Sequence, residues 1–293
     1  MQERMAVHRR SLSAKGLLRW LFYLVFLAFL ALVLLYGVAQ LWMLNDDASI
    51  EVSLAETGQG GDSTIDLVWP GVHYSFQTCC DESTAIIDDV AGRPARSFTI
   101  RPDDPLVKGS HRSEIRFRPN ALGQEAWYRG ELFVPEDWRP SPVRVTIMQW
   151  HGTRDVFLFE RGRTPPLQLE IIDNRWEVVK SWDERFLTPV DAPAGRGRET
   201  IASAPIKRGQ WVEWTFQVDW TTDEAGVVRA WLDGDLLVED RGPNAHKDLI
   251  GPYMKAGVYV PDWTIDGAES EIPYRKIFIS KLMLGDSASS FED

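Results

Sequence analysis

From Ile65 onward the chain is written in short apolar runs broken by turn residues, and this pattern constrains the fold more than any other feature. Runs rich in Val, Ile, Phe, Trp and Tyr cover 65–69, 97–101, 112–118, 127–134, 143–151, 167–172, 175–182, 211–220, 227–232, 253–259 and 276–284, separated by Gly, Pro, Asn and Asp. Each has the length and the β-branched or aromatic content of a strand. In the segment from Trp231 to Leu237, Asp233-Gly234 supplies a hairpin turn. No helical period of convincing length and no fixed repeat runs through this region. Eleven or more strands over 64–285 require two packed antiparallel sheets, an all-β sandwich or jelly roll in one domain. The 13 Trp and 13 Phe provide ample core material, and most of the Trp residues read as packing.

The first 44 residues are of another kind. Arg4, Arg9, Arg10, Lys15 and Arg19 precede a charge-free run from Trp20 to Leu44. As a helix those residues reach roughly 37 Å, against a bilayer core of about 30 Å. The run exceeds a signal-peptide apolar core, and Gly37-Val38-Ala39 is a poor cleavage site, so it reads as an uncleaved transmembrane anchor. Lys and Arg lie on its N-terminal side, Asp46 and Asp47 follow it, and the next basic residue is Arg93. That bias predicts a cytoplasmic N-terminal tail (1–19), a transmembrane helix (20–44) and a domain on the periplasmic or extracytoplasmic side. Small polar residues make 45–63 a linker, and 286–293 a short tail.

Whole-chain net charge is −11; setting aside the five basic residues and Glu3 of the first 44 leaves 27 Lys+Arg against 42 Asp+Glu, a net of −15. Nucleic acid is therefore excluded as a partner, and any anionic ligand must meet a local basic cleft. Cys79 and Cys80 are adjacent, which offers neither a disulfide framework nor zinc-ligand spacing, and they read as two thiols at a strand end. The Gly58-Gln-Gly-Gly61 stretch lacks the Lys-Ser/Thr of a phosphate loop; there is no Gly-x-Ser-x-Gly elbow and no dinucleotide fingerprint. No cofactor is called for, and no calcium-ligating loop is readable, although a structural Ca²⁺ is left open.

Three strands carry polar groups on one face. Side chains alternate along a strand, so Arg112, Glu114, Arg116 and Arg118 share one side of 111–118. Gln149 and His151 end an otherwise apolar strand and need partners near the sheet interior. Tyr253, Lys255, Gly257 and Tyr259 share the third face, with Gly257 leaving space between Lys255 and Tyr259. Taken singly, these read as an ion-paired surface, a satisfied histidine and a bulge. Together they supply what uronate β-elimination requires: donors that neutralise the carboxylate and stabilise an enolate-like intermediate, a base for the C5 proton, and an acid for the departing O4.

The segments Arg112-Ser-Glu-Ile-Arg116, Gln149-Trp-His151 and Tyr253-Met-Lys-Ala-Gly-Val-Tyr259 resemble, in order and type, the motif strands of jelly-roll polysaccharide lyases, including alginate lyases and the glucuronan lyase and heparin lyase I groups. The resemblance spans most of 65–285 and implies a concanavalin-like β-jelly roll acting on an anionic polysaccharide. It implies that Arg112 and Gln149 neutralise the uronate carboxylate, with His151 assisting or acting as base. Tyr259 is then the acid, and also the base where both protons lie on one side of the sugar. Glu114, Arg116 and Lys255 orient the site and line it with charge. Two departures point away from alginate: Pro261 stands where the alginate pattern ends in Gln, and Trp150 where it favours Ile or Val. Trp263 is a candidate sugar platform as well as a candidate core residue.

Two other classes compete. A jelly-roll glycoside hydrolase needs paired carboxylates about 5–5.5 Å or about 6.5–9.5 Å apart; the nearest candidates, Glu170 and Asp173, point to opposite faces of a strand. A carbohydrate-binding domain of an exopolysaccharide export system suits the anchor and the acidic surface, but has no use for a phenol beside an imidazole.

Overall fold

The computed structural model describes residues 14–44, 50–53, 74–155, 158–189, 191–192, 195–261, 263 and 272–291. The chain divides into two compact units, Met1–Trp42 and Met43–Asp293. The first is built on α1 (Ala14–Leu44), a single helix of 31 residues, about 46 Å long at 1.5 Å per residue. Its segment Leu18–Val38 is long and apolar enough to cross a membrane, and none of it is buried. That composition lacks the polar stripe of a helix made to lie on a soluble core.

The second unit is a β-sandwich of two antiparallel sheets. One sheet holds β1 (Ile50–Ser53), β3 (Thr84–Val90), β4 (Arg93–Ile100), β6 (Glu125–Phe133), β11 (Trp211–Asp219), β12 (Val227–Leu232), β13 (Asp235–Arg241) and β15 (Arg275–Gly285). Its order is β13-β12-β11-β6-β15-β4-β3, and β1 pairs with Lys281–Leu284 of β15, beyond the stretch that β4 covers. The other sheet holds β2 (Tyr74–Gln77), β5 (His111–Pro119), β7 (Val145–Thr153), β8 (Leu167–Ile172), β9 (Arg175–Trp182), β10 (Gly197–Pro205) and β14 (Ile250–Val260), in the order β10-β9-β8-β7-β14-β5-β2.

The core lies between the sheets. Trp150, Trp176, Trp214 and Trp220 are fully buried there, with Trp150 edge-on to Phe216 at 4.8 Å and to Tyr128 at 5.1 Å. Trp150 thus fills the core between two cleft-facing residues, as strand alternation requires.

Strand β1 falls inside the stretch expected to be linker, so residues 50–53 are paired to the sheet. The expected strand at 65–69 lies outside the described residues. Cys79 and Cys80 are joined as a vicinal disulfide just beyond β2, which corrects the expectation of two free thiols; their adjacency on the turn that follows the strand brings the sulfurs together.

Gly257 holds the key irregularity. Its φ is +142°, and a Cβ there would lie 2.2 Å from the Ser113 carbonyl oxygen and 2.8 Å from the Glu114 Cα. Both clashes are with the backbone of the paired strand, which cannot rotate away. Gly257→Ala is expected to cost about 3 kcal/mol or more, combining backbone strain and overpacking. Thermal unfolding tests this, and an unchanged Tm would show that the strands separate freely at this point.

Candidate active site

The three polar segments are distant in sequence but adjacent in the sheet, because β14 lies between β7 and β5. The register places Tyr259 opposite Arg112, Gly257 opposite Glu114 and Lys255 opposite Arg116 on one side. On the other side Lys255 faces Gln149 and Tyr253 faces His151. The β14–β7 ladder shifts between Ala256 and Tyr259, and β7 itself bulges against β8 between Thr146 and Met148. The second bulge turns Thr146 to the same face as Gln149.

Glu114 is the centre of this face. It is 2% exposed, and it accepts from the Gln149 side-chain amide, from Arg112 Nη1 at 3.4 Å and from Lys255 Nζ at 3.5 Å. An ionised carboxylate only accepts, so Gln149 must present its NH₂ to Glu114. Arg112 lies over the Tyr259 ring, its Cζ 4.7 Å from the centroid, and Arg116 lies over Tyr253 at 4.2 Å. Arg112, Gln149, His151 and Tyr259 open onto one cavity of about 230 Å³, together with Arg144 and Gln168.

The His151 ring stacks on Tyr253 at 5.4 Å, and its Nδ1 lies 2.9 Å from its neighbour's carbonyl, Gly152 O. A carbonyl accepts only, which assigns the proton to Nδ1 and leaves Nε2 as an acceptor. Burial, with the charges of Lys255 and Arg112, holds the imidazole well below its ordinary range, to about 3, so it is neutral at physiological pH. Burial likewise brings the Lys255 ammonium down to about 8, against the opposing pull of Glu114. An acidic protein has gathered cations on this one face. Arg112, Arg144 and Arg163 line the cavity and Arg116 and Lys255 stand behind it, a local basic patch against the overall negative charge.

The polysaccharide lyase family profile matches residues 65–283, most of the chain. The chain belongs to the polysaccharide lyase family. Among solved structures, this lyase is similar to an endo-β-1,4-glucuronan lyase from the fungus Trichoderma reesei, with 20% identity, a TM-score of 0.57, and coverage of 78% of this chain and 94% of that one. It is also similar to the family 7 alginate lyase A1-II′ in a substrate complex (16% identity, TM-score 0.54, 73% and 93% covered). A third likeness is to the alginate lyase AlgAT5 of polysaccharide lyase family 7 (14%, 0.51, 73% and 94%). These likenesses establish the jelly-roll fold. No curated protein matches the sequence.

Of the residues singled out from the sequence, the lyase brings Arg112, Gln149, His151 and Tyr259 to a common cavity. Glu114, Arg116 and Lys255 are each 3% exposed or less and do not line it. They stand behind the residues that line it: Lys255 is paired with Arg116 across β14 and β5, and Glu114 accepts from Arg112, Gln149 and Lys255. Trp263 does not line the cavity either. β14 ends at Val260, and the Trp263 ring sits edge-on to His111 at 5.4 Å and packs against the core. Of its two expected readings, platform and core residue, this packing favours the core one. Glu170 and Glu177, not Glu170 and Asp173, face each other across strands. Glu170 is fully buried against Arg198, so it is not presented to a substrate as a hydrolase would need.

Arg144, Arg163, Thr164, Pro165 and Gln168 complete the cavity wall and were not singled out. Gln168 and Glu170 alternate with Leu167, Leu169 and Ile171, a period-two polar face that was readable. Arg163 comes from a loop and had no such signal. It is held by Glu160, by Thr188 Oγ1 at 2.8 Å, by the Phe186 carbonyl at 3.0 Å and by Asp248 Oδ1 at 3.3 Å.

That loop anchor is acid-rich. Burial, with the charges of Glu160 and Asp155, pushes the Asp248 carboxyl up to about 8 despite Arg163, and burial lifts Asp155 to about 6. A carboxyl raised above its unfolded value stabilises fully below about pH 4 and loses that contribution as pH rises towards 8. Below about pH 6.5 the buried His151 and His246, both held below their ordinary range, oppose this trend, so the Tm of the wild type is expected to fall between about pH 6.5 and pH 8, where Asp248 titrates. Asp248→Asn is expected to flatten the slope and to be the more stable form at the upper end. A wild-type Tm that rises over this range would contradict the assignment.

Proposed function

We propose that this polysaccharide lyase cleaves a uronic-acid-containing polymer by β-elimination. The observation that carries the reading is the convergence of Arg112, Gln149, His151 and Tyr259 on one cavity rich in cations. The uronate carboxylate lies against Arg112 and the Gln149 amide, which draw charge from C5 and stabilise the enolate-like intermediate. Removal of the C5 proton and departure of O4 leave a C4=C5 double bond, and Tyr259 protonates O4. Where the C5 proton and O4 lie on one face of the ring, Tyr259 handles both protons in turn. Where they lie on opposite faces, His151 Nε2 takes the C5 proton. Burial is the main cause of the lowered His151 basicity, and a bound carboxylate beside Arg112 offsets the cationic part that Lys255 and Arg112 add to it.

The charge asymmetry around α1 supports an N-terminus in the cytoplasm, a membrane-anchored chain and a catalytic domain on the extracytoplasmic side. The test is digestion of a panel of uronate polymers by the detergent-solubilised chain, read by the ultraviolet absorbance of the conjugated C=C bond and by new reducing ends. The two are expected to rise together. Reducing ends without absorbance mean hydrolysis, and neither signal means a binding domain; both overturn the proposal.

A further inference from the structure

Beside the proposed catalytic groups lies a second cationic feature for which uronate elimination on one sugar has no use. Glu170, on β8, is fully buried. It receives the Arg198 guanidinium, which reaches from β10, and Arg144 Nε lies 3.9 Å away from the start of β7. Gln168 donates to the same carboxylate at 2.9 Å and Thr146 Oγ1 at 3.5 Å. Two guanidinium groups thus share one carboxylate. The carboxylate is wholly inside, whereas the Arg144 and Arg198 side chains are 29% and 33% exposed. Their outer faces are turned to solvent while Glu170 fixes their inner ones. Glu177, across from Glu170, is taken up by Thr200 Oγ1 at 3.0 Å.

Arg144 and Gln168 line the same cavity as Tyr259 and Arg112. Gln168 has given its amide N–H to Glu170, and its Oε1 is buried with no hydrogen-bond partner among the described residues. Gln168 on β8 is the direct cross-strand partner of Gln149 on β7, about 5 Å away at the usual strand spacing, a step on the scale of one sugar to the next. A buried acceptor beside two guanidinium groups that are about one-third exposed suits a sugar that carries both hydroxyls and a carboxylate.

We propose that Arg144, Arg198 and Gln168 form a second anion subsite that binds the carboxylate of a uronate neighbouring the one being cleaved, so that the preferred substrate is a polyuronate rather than a polymer alternating uronate with a neutral sugar. The proposal rests on the uronate reading of the cavity and deepens it.

The experiment compares a polyuronate with an unsulfated polymer alternating glucuronate and N-acetylhexosamine, using the full chain in detergent. Because Glu170 is buried, Arg198→Gln alone would strand its charge, so the main variant is Glu170→Gln with Arg198→Gln, with Arg198→Lys as a fold-preserving partner. Wild-type kcat/KM is expected to favour the polyuronate at least tenfold. The paired variant is expected to lose that preference through KM, and Arg198→Lys, which keeps charge but not the two-pronged contact, to fall between. Affinity for a uronate tetramer, measured calorimetrically in the Tyr259→Phe background, provides a readout independent of turnover. An Arg198-dependent affinity without turnover in any wild-type assay would keep the subsite and overturn the lyase reading. Turnover with equal rates on both polymers, or a preference that survives the paired variant, would overturn the subsite and keep the lyase.

Discussion

Tyr259→Phe is expected to reduce turnover by about 10²- to 10⁴-fold, the span over which a positioned acid or base contributes, with polymer affinity nearly intact. The substitution removes one oxygen and keeps the ring. The ring is what Arg112 lies over, at 4.7 Å, and a cation–π contact depends on the aromatic face rather than on the hydroxyl. Arg112 should therefore stay where it is, and with it the proposed donor to the substrate carboxylate. Tyr259 is only partly buried, so the change should leave stability within about 0.5 kcal/mol. Rate, affinity and Tm then separate: the first collapses while the others hold. Retained turnover would remove the proton-transfer role from Tyr259. Joint loss of affinity and rate would make the residue a contact and nothing more.

The strands that position this tyrosine were the most legible part of the chain, and the reason is packing. β5, β7 and β14 have a neighbour on each side, so one face must be apolar against the core while the other is free to be polar. Ile115 and Phe117 alternate with Glu114 and Arg116, and Met148 and Trp150 with Gln149 and His151. β8 and β9 were found with their observed limits for the same reason. The unforeseen strands lie where that pressure is absent. β2, β3 and β10 are sheet edges, and β10, Gly-Arg-Glu-Thr-Ile-Ala-Ser-Ala-Pro, is mostly exposed. Edge strands carry charge and proline because a clean apolar edge invites aggregation, and those residues erase the pattern that periodicity detects. In the site, side chains set by strand alternation were legible. Arg163 was not, since it reaches the cavity from a loop whose course depends on a buried acid cluster. Trp263 follows Val260, where β14 ends, so strand alternation gave no means of choosing between its platform and core readings.

Glu114→Ala is the change with the largest expected effect on stability. Its carboxylate is the anion against which Arg112, Gln149 and Lys255 are packed, and Lys255 and Arg116 are each 3% exposed. Removing it leaves buried cations facing one another across β5 and β14, where breaking one partner of a buried pair typically costs about 3–5 kcal/mol. For a domain of this size that is a fall in Tm on the order of 10 °C. The Lys255 ammonium, already drawn down to about 8 by burial and held up by Glu114, has its main support removed and should lose its proton nearer neutrality. Stability of the variant should then recover as pH rises, because the unfolded lysine binds more protons than the folded one. Lys255→Met in the Glu114→Ala background should restore much of the loss, whereas Lys255→Met alone should destabilise. Contacting residues couple in this non-additive way. Activity should stay low even in the restored double variant, because the Gln149 amide and the Arg112 fork have lost the acceptor that aims them. Where Glu114→Ala does not fold, Glu114→Gln keeps the shape and removes the charge. A Tm and a pH slope equal to wild type in that variant would show that the carboxylate is not what holds the three strands' polar groups in place.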